Sequence, residues 1–336
     1  MRRLLPTWFA VAACTPLLDD PTPYLDDPRV LAVRFEPAEA APRDAVAVTA
    51  FAADSEGEVT TLPVDWSFCL DPKPLAELGP VSPECLDPAG DGWAPVGAGL
   101  AFTAVLPEAA CSLFGPNPPP PEPGQPAGRP TDPDVTGGYH QPLVGDVDGA
   151  LTLASVRVRC GLADVSQEAY VDWNRAYRSN ENPVVDALFA DDGTGPAEVG
   201  PVLDVAPGQT VTLRVAWPDC PASTTCGDGI CGLDEDTSAC AADCTDPVGC
   251  GGAETYVVYD RGADGLVTRR EAMSATWYAT AGSWDEARTG RAGDDPETQT
   301  SNVWTAPESG DAWLGVVLRD ERGGVAWRSV RVVGAR

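Results

Sequence analysis

The side chains best equipped for covalent or coordination chemistry in this chain are its eleven cysteines. Six of them, Cys220, Cys226, Cys231, Cys240, Cys244 and Cys250, fall within 31 residues. Such a cluster can hold zinc through thiolates or close on itself as disulfides. The inner spacing is C-x4-C-x8-C-x3-C, whereas structural zinc sites are usually built from C-x2–4-C pairs, so disulfides are expected and no metal. Six cysteines allow fifteen pairings. The flanks supply one constraint: TVTLRVAWPDC enters the cluster and CGGAETYVVYD leaves it, and both read as strands. If those strands pair, Cys220 and Cys250 close the base of the insert, worth about 3.5–4 kcal/mol on the chain-entropy model. The other four then bond among themselves. Cys69, Cys85, Cys111 and Cys160 remain. One of their three pairings staples Cys69, after a tryptophan-bearing strand, to Cys160 at the end of another, with Cys85–Cys111 in the loops.

Carboxylates are the next candidates. Asp228, Asp234, Glu235, Asp236 and Asp243 in the insert are oxygen donors of the kind calcium takes, although a solvated acidic surface is the plainer expectation. Asp260, Asp264, Gly265 and Glu271 match positions 1, 5, 6 and 12 of an EF-hand loop, but Gly262 puts no oxygen at position 3 and the flanks are β-rich. A hairpin turned at Ala263-Asp264-Gly265 is the expectation. Gly145-Asp146-Val147-Asp148-Gly149 is read as a strand entry. His140 is the one histidine and is expected at the surface. Nucleophile elbows, phosphate loops, HExxH and dinucleotide fingerprints are absent from the sequence, and spacing cannot select a glycosidase pair from 51 acids. No catalytic residue and no cofactor are expected. Of the ten tryptophans, Trp66, Trp217, Trp277, Trp313 and Trp327 lie in strand patterns and belong to cores. Trp93 and Trp284 lie in loops and are the candidates for stacking on sugar rings.

The charge sum, 22 − 51 = −29, excludes function classes. Phosphate contacts need clustered Arg and Lys, so nucleic acid is no partner, and docking on anionic lipid through a basic patch is excluded likewise. The N-terminus offers another route to a membrane. Met1-Arg2-Arg3 precedes an apolar run from Leu4 to Ala13 that is too short to span a bilayer. It ends Val11-Ala12-Ala13-Cys14, which resembles the bacterial lipobox. That resemblance implies cleavage before Cys14, lipidation of its thiol and an anchor of several acyl chains. Thr15 after the cysteine implies outer-membrane sorting. Setting Cys14 aside leaves ten cysteines, an even number suited to an oxidising compartment.

The elements that position these residues read as strands. RVLAVRFEP, DAVAVTAFAAD (44–54), VDWSFC (64–69), GLAFTAVLP (99–107), ALTLASVRVRC (150–160) and EAYVDW (168–173) alternate apolar and polar residues. VVDALFADDG (184–193) restarts the alternation in the second half, and TVTLRVAW, ETYVVYD, REAMSATWYATAG, AWLGVVLRD and GVAWRSVRVV supply more strands. Leu314, Val316 and Leu318 share one face, and Asp320-Glu321-Arg322-Gly323-Gly324 reads as a hairpin connection. The expectation is an all-β protein of two antiparallel β-sandwiches, 29–178 and 182–336, the second carrying the insert 220–250. Signal and lipobox occupy 1–14. Residues 15–28, with four prolines and four aspartates, are either a semi-extended tether or a segment packed on the first domain through Tyr24 and Leu25. Residues 115–138 hold nine prolines and five glycines and read as a surface insertion.

LAVRFEPAEAAPRDAVAVTAFAAD resembles the opening of immunoglobulin-like domains in myxobacterial-type surface lipoproteins. SNVWTAPESGDAWLGVVLRDERGGVAWRSVRVV (301–333) resembles the closing strands of bacterial Ig-like and PKD-like domains. CGDGICGLDEDTSACAADC is similar to a short cysteine repeat inserted in secreted proteins. These resemblances imply a lipid-anchored cell-envelope protein with a structural or protein-interaction role and no enzymatic activity. The partner is an envelope protein or, in an adhesion module dependent on calcium or carbohydrate, a glycan.

Overall fold

Period-2 alternation buries one face of each strand, and two such faces must meet. They do so twice in the computed structural model. It describes residues 24–334 apart from 73–80, 88–91, 117–134, 221–225, 228–230, 232–234, 236–238, 245–248 and 264. Most of the proline-rich stretch, and the lipobox with Cys14, lie outside the described residues.

The first sandwich sets β1 (Arg29–Glu36), β3 (Ala45–Asp54), β4 (Gly57–Val59) and β7 (Ala101–Val105) against a second sheet. That sheet runs β2 (Glu39–Ala40), β9 (Ala150–Arg159), β8 (Gly138–Val147), β5 (Asp65–Cys69), β6 (Trp93–Ala98). The pairs are antiparallel except β2–β9. Val46, Val48, Trp66, Phe68, Leu143 and Val156 fill the space between, and the short helix α1 (Ala110–Phe114) closes one end.

Sheet order decides the disulfides here, and it overturns the Cys69–Cys160 expectation. β8 lies between β5 and β9, which keeps the strands carrying Cys69 and Cys160 at least about 9.6 Å apart at the usual strand spacing, and their ends are further offset along β8. A disulfide needs Cα atoms within roughly 7 Å. The structure instead joins Cys69 to Cys85, in the turn Pro83–Leu86, and Cys111 of α1 to Cys160.

EAYVDW is not a strand. It lies in helix α2 (Gln167–Ala176), where the Ser166 hydroxyl accepts from the Ala169 amide at 3.1 Å. Glu168 and Arg175 sit at the ends that the helix dipole favours. Trp173 is the buried side chain of α2 and packs with Leu162, Val257 and Tyr259.

The second sandwich pairs β11 (Ala197–Glu198), β10 (Ala187–Asp191), β13 (Thr210–Ala216), β19 (Gln299–Thr305) and β17 (Ser283–Trp284) in one sheet. The other runs β12 (Val202–Val205), β21 (Val325–Gly334), β20 (Ala312–Asp320), β16 (Met273–Ala279), β18 (Arg288–Arg291). Leu213, Val215, Trp277, Trp304, Leu314 and Val316 form its core. Between β13 and β16 the chain makes an excursion: the cysteine-rich insert, then the hairpin of β14 (Thr255–Asp260) and β15 (Gly265–Arg270). That hairpin packs against α2.

The two sandwiches share a third core. Leu31, Ala32, Phe51 and Ala53 of the first meet Tyr278, Trp313, Val317 and Val325 of the second, with Leu25 among them. The Leu25 amide also bonds to the Ala279 carbonyl at 3.1 Å and Tyr24 bridges to Ala279, so the chain is pinned between the sandwiches at Leu25 while Tyr24 and 26–28 stay exposed. This shared core explains why β20 is buried on both faces. Strand β1 leaves one edge unpaired within its sheet, and the second sandwich covers it: Arg319 Nη2 donates to the Leu31 carbonyl at 2.9 Å and Asn182 Nδ2 to the Phe35 carbonyl at 2.6 Å.

Candidate functional site at the sandwich junction

The connector from Tyr177 to Pro183 crosses between the sandwiches and gathers buried polar residues from both. Glu39 of β2 pairs with Arg157 of β9 at 3.0 Å, their side chains 1% and 4% exposed. The Tyr177 hydroxyl donates to the other Glu39 oxygen, and the Asn180 amide donates to Glu39 at 3.0 Å. Asn180 Nδ2 reaches Asp320 of the second sandwich at 3.3 Å. Asn182 holds both sides at once, donating to Phe35 and accepting from the Val325 amide at 2.9 Å.

Arg322 is the centre of the second half. Its Nε donates to Glu271, its Nη2 to Glu254 at 3.0 Å and its Nη1 to the Arg178 carbonyl at 2.9 Å. Its guanidinium lies 4.8 Å from the Tyr256 ring centroid. The hairpin DERGG builds this: Asp320 accepts the Gly323 and Gly324 amides at 2.7 and 2.8 Å. A Cβ on Gly324 would stand 2.1 Å from the Asp320 carboxylate, so only glycine fits.

Burial pushes the Glu271 carboxyl up to about 8, with Arg322 opposing. Burial also raises Glu254 and Asp320, again against Arg322. Arg322 stays well above its ordinary value: desolvation lowers it, but Glu271, Glu254, Glu39 and Asp320 together outweigh that. These groups are spent on one another, an arrangement suited to holding geometry.

Beside this network opens a cleft of about 480 Å3 lined by His140, Arg157, Tyr256, Arg269, Glu321 and Arg322. His140 is exposed at the surface. The walls carry both signs of charge and select neither a cation nor an anion.

In the insert the structure pairs Cys220 with Cys250, Cys226 with Cys240, and Cys231 with Cys244. Donor atoms of Cys226, Glu235, Cys240 and Asp243 lie within 4.8 Å of one another, but the two sulfurs are bonded together and offer no thiolate. Asp243 accepts the Gly227 amide at 2.5 Å. Asp228, Asp234 and Asp236 lie outside the described residues. The EF-hand match dissolves into the β14–β15 hairpin: Asp260 accepts the Gly262 amide at 2.7 Å, and Glu271 is committed to Arg322. Asp264 lies outside the described residues. Residues 145–147 end β8, and Asp148-Gly149 form the turn into β9, with the Asp146 side chain accepting the Gly149 amide at 2.6 Å.

The tryptophans chosen for sugar stacking are not free platforms. Trp284 packs 5.1 Å from Trp277 and 6.4 Å from Trp304, ring centroid to centroid, at the edge of the second core. Trp93 is half-buried against the cluster around the Cys69–Cys85 disulfide. Neither lies in a loop. Trp284 ends the two-residue β17 and Trp93 opens β6, strands too short or too irregular to read from pattern, and each ring turns inward. The junction itself was missed because its members are single polar residues scattered from Glu39 to Arg322. The one available cue is position: Glu39, Glu271 and Asp320 each stand at or beside the end of a strand.

No family model and no curated protein matches this chain. Among solved structures it is similar to the Yersinia pseudotuberculosis adhesin InvE at 12% identity and TM-score 0.21, covering 90% of this chain and 58% of that one. The fibronectin(III)-like modules of Clostridium thermocellum CbhA give 9% and 0.20, over 90% and 94%. The C-terminal domain of the Streptococcus pyogenes antigen I/II-family protein AspA gives 11% and 0.23, over 92% and 99%. Superpositions this loose carry no argument about role. The fold stands on its own topology: an all-β protein of two immunoglobulin-like sandwiches with a disulfide-rich insert. Among the described residues no helix is long and apolar enough to cross a membrane.

Proposed function

We propose that the protein is a lipid-anchored component of the cell envelope, held at the outer membrane through Cys14, with a non-enzymatic structural or protein-interaction role. One observation carries the reading. Five disulfides engage ten cysteines, and of the eleven in the sequence the one left over is Cys14, at the end of the apolar N-terminal run. Disulfides in this number belong to an oxidising compartment outside the cytosol, and a lipidated cysteine needs no disulfide partner. The junction supports a scaffold role, since its ionisable groups lock two sandwiches together. The partner is another envelope protein; the tryptophans suited by sequence to a glycan are packed inward.

The test is a Cys14→Ser variant expressed in a bacterium that lipidates exported proteins. It should lose incorporation of labelled fatty acid and leave the membrane fraction. A variant that remains labelled and membrane-bound overturns the anchor.

A further inference from the structure

The disulfide-stapled insert lies against the connector, and among the described residues Arg178 carries two of the hydrogen bonds between them. Arg178 Nε donates to the Cys231 carbonyl at 3.1 Å, and Arg178 Nη2 donates to the Glu235 carbonyl. Cys231 is itself tied to Cys244. At the base of the insert, the Val184 amide donates to the Gly251 carbonyl at 2.7 Å. Gly249, at φ +74, lies so close to Glu181 that a Cβ there would stand 2.5 Å from the Glu181 side chain. The base is linked to the buried network as well: the Cys250 amide donates to Glu254, which holds Arg322, which holds the Arg178 carbonyl.

We propose that the insert is a splint for the connector: by gripping Arg178, Glu181 and Val184 it holds the path of the connector between two sandwiches that the shared core and the buried polar network already dock. The physical case rests on what each part can do alone. The connector buries Asn180 and Asn182 between the sandwiches, whereas Arg178 is only half-buried, and a linker segment is free to bend unless something packs on it. The insert is too small to build a core, and its three staples supply the rigidity that a core would. Carbonyls held in place by disulfides make a fixed acceptor pair for the planar fork of an arginine. The splint therefore transmits covalent rigidity to a segment that has none.

Trypsin reads this directly, because the bond it attacks follows Arg178. The full-length oxidised protein is digested under native conditions, and fragments beginning at Ser179 are quantified by mass spectrometry. Each rate is normalised to the same bond in denatured chain. Cys231→Ser/Cys244→Ser frees the carbonyl of residue 231 from its staple and should speed this cleavage about tenfold or more, as the open connector becomes more populated. Cleavage within the strands, after Arg319 or Arg331, should stay at the wild-type rate. Arg178→Lys keeps the trypsin site and the charge but loses the fork, and should also accelerate cleavage. Should the double variant lose its overall β-sheet signal in circular dichroism, Arg178→Lys, with all staples intact, decides alone. Wild-type protection of the Arg178–Ser179 bond in the folded variants overturns the proposal.

Discussion

Glu271 and Arg322 face each other where water does not reach, their side chains 0% and 2% exposed. Arg322 serves Glu254 as well, and Asp320 lies close enough to raise both carboxyls. One guanidinium thus offsets several buried carboxylates. Breaking such a set by removing its cation leaves uncompensated charge in a low-dielectric interior, at a cost of about 3–5 kcal/mol. Arg322→Met should lower the stability measured by chemical denaturation at pH 9, where the Glu271 carboxyl is ionised, by that amount. Adding Glu271→Leu should restore part of it, because one stranded carboxylate goes too. A loss under about 1 kcal/mol, the range of exposed pairs, would show that the network is solvated.

The same pair sets a pH dependence. The Glu271 carboxyl lies at about 8 in the folded chain, raised by burial, against about 4.3 in an unfolded one. A raised carboxyl stabilises the fold fully below the unfolded value and loses that contribution as pH climbs through the folded one. Glu254 and Asp320 are shifted in the same direction. Between about pH 5 and 8 the melting temperature of the wild type should therefore fall as pH rises. Glu271→Gln cannot ionise, and its profile over that window should be flatter. Parallel profiles for the two proteins would refute the assignment. The general repulsion in a chain of net charge −29 acts on both and drops out of the difference.

The first sandwich tests the cysteine pairing. Cys111 and Cys160 lie 49 residues apart in sequence, and closing a loop of that length is worth about 4 kcal/mol on the chain-entropy model. Cys69 and Cys85 close a loop of 16, worth about 3 kcal/mol. Non-reducing peptide mapping should recover Cys69 with Cys85 and Cys111 with Cys160. Serine at both 111 and 160 should destabilise the protein more than serine at both 69 and 85. A recovered Cys69–Cys160 peptide would mean that β8 does not lie between β5 and β9.

What the sequence disclosed follows from the range of its signals. Alternation is local, so DAVAVTAFAAD and TVTLRVAW were legible as strands that bury one face. In EAYVDW the same eye for alternation missed a helix whose cues, Ser166 before it and Trp173 on its buried face, have a different period. AWLGVVLRD reads as a near-continuous apolar run because β20 is buried on both sides, yet part of what covers its outer face, Phe51, lies in the other sandwich, far away along the chain. The junction was the least legible part. Glu39, Arg157, Asn180 and Arg322 become partners only once two sandwiches are docked, and no spacing announces that.

The contact between Gly57 and Trp313 offers a sharp test of that docking. Gly57 turns from β3 into β4 at φ +118, a region that side chains avoid. A Cβ there would stand 2.7 Å from the Trp313 ring of the other sandwich. Gly57→Ala should therefore carry two penalties: backbone strain of about 1–2 kcal/mol and displacement of the indole. Trp313→Ala removes a large side chain from the shared core and should cost about 3–5 kcal/mol. It also opens the space that a methyl group at position 57 needs. In the Trp313→Ala background, Gly57→Ala should then cost the strain alone. The two substitutions should couple by about 1 kcal/mol or more, as residues in contact do. Additive losses in a double-mutant cycle would mean that Gly57 and Trp313 do not touch and that the sandwiches meet some other way.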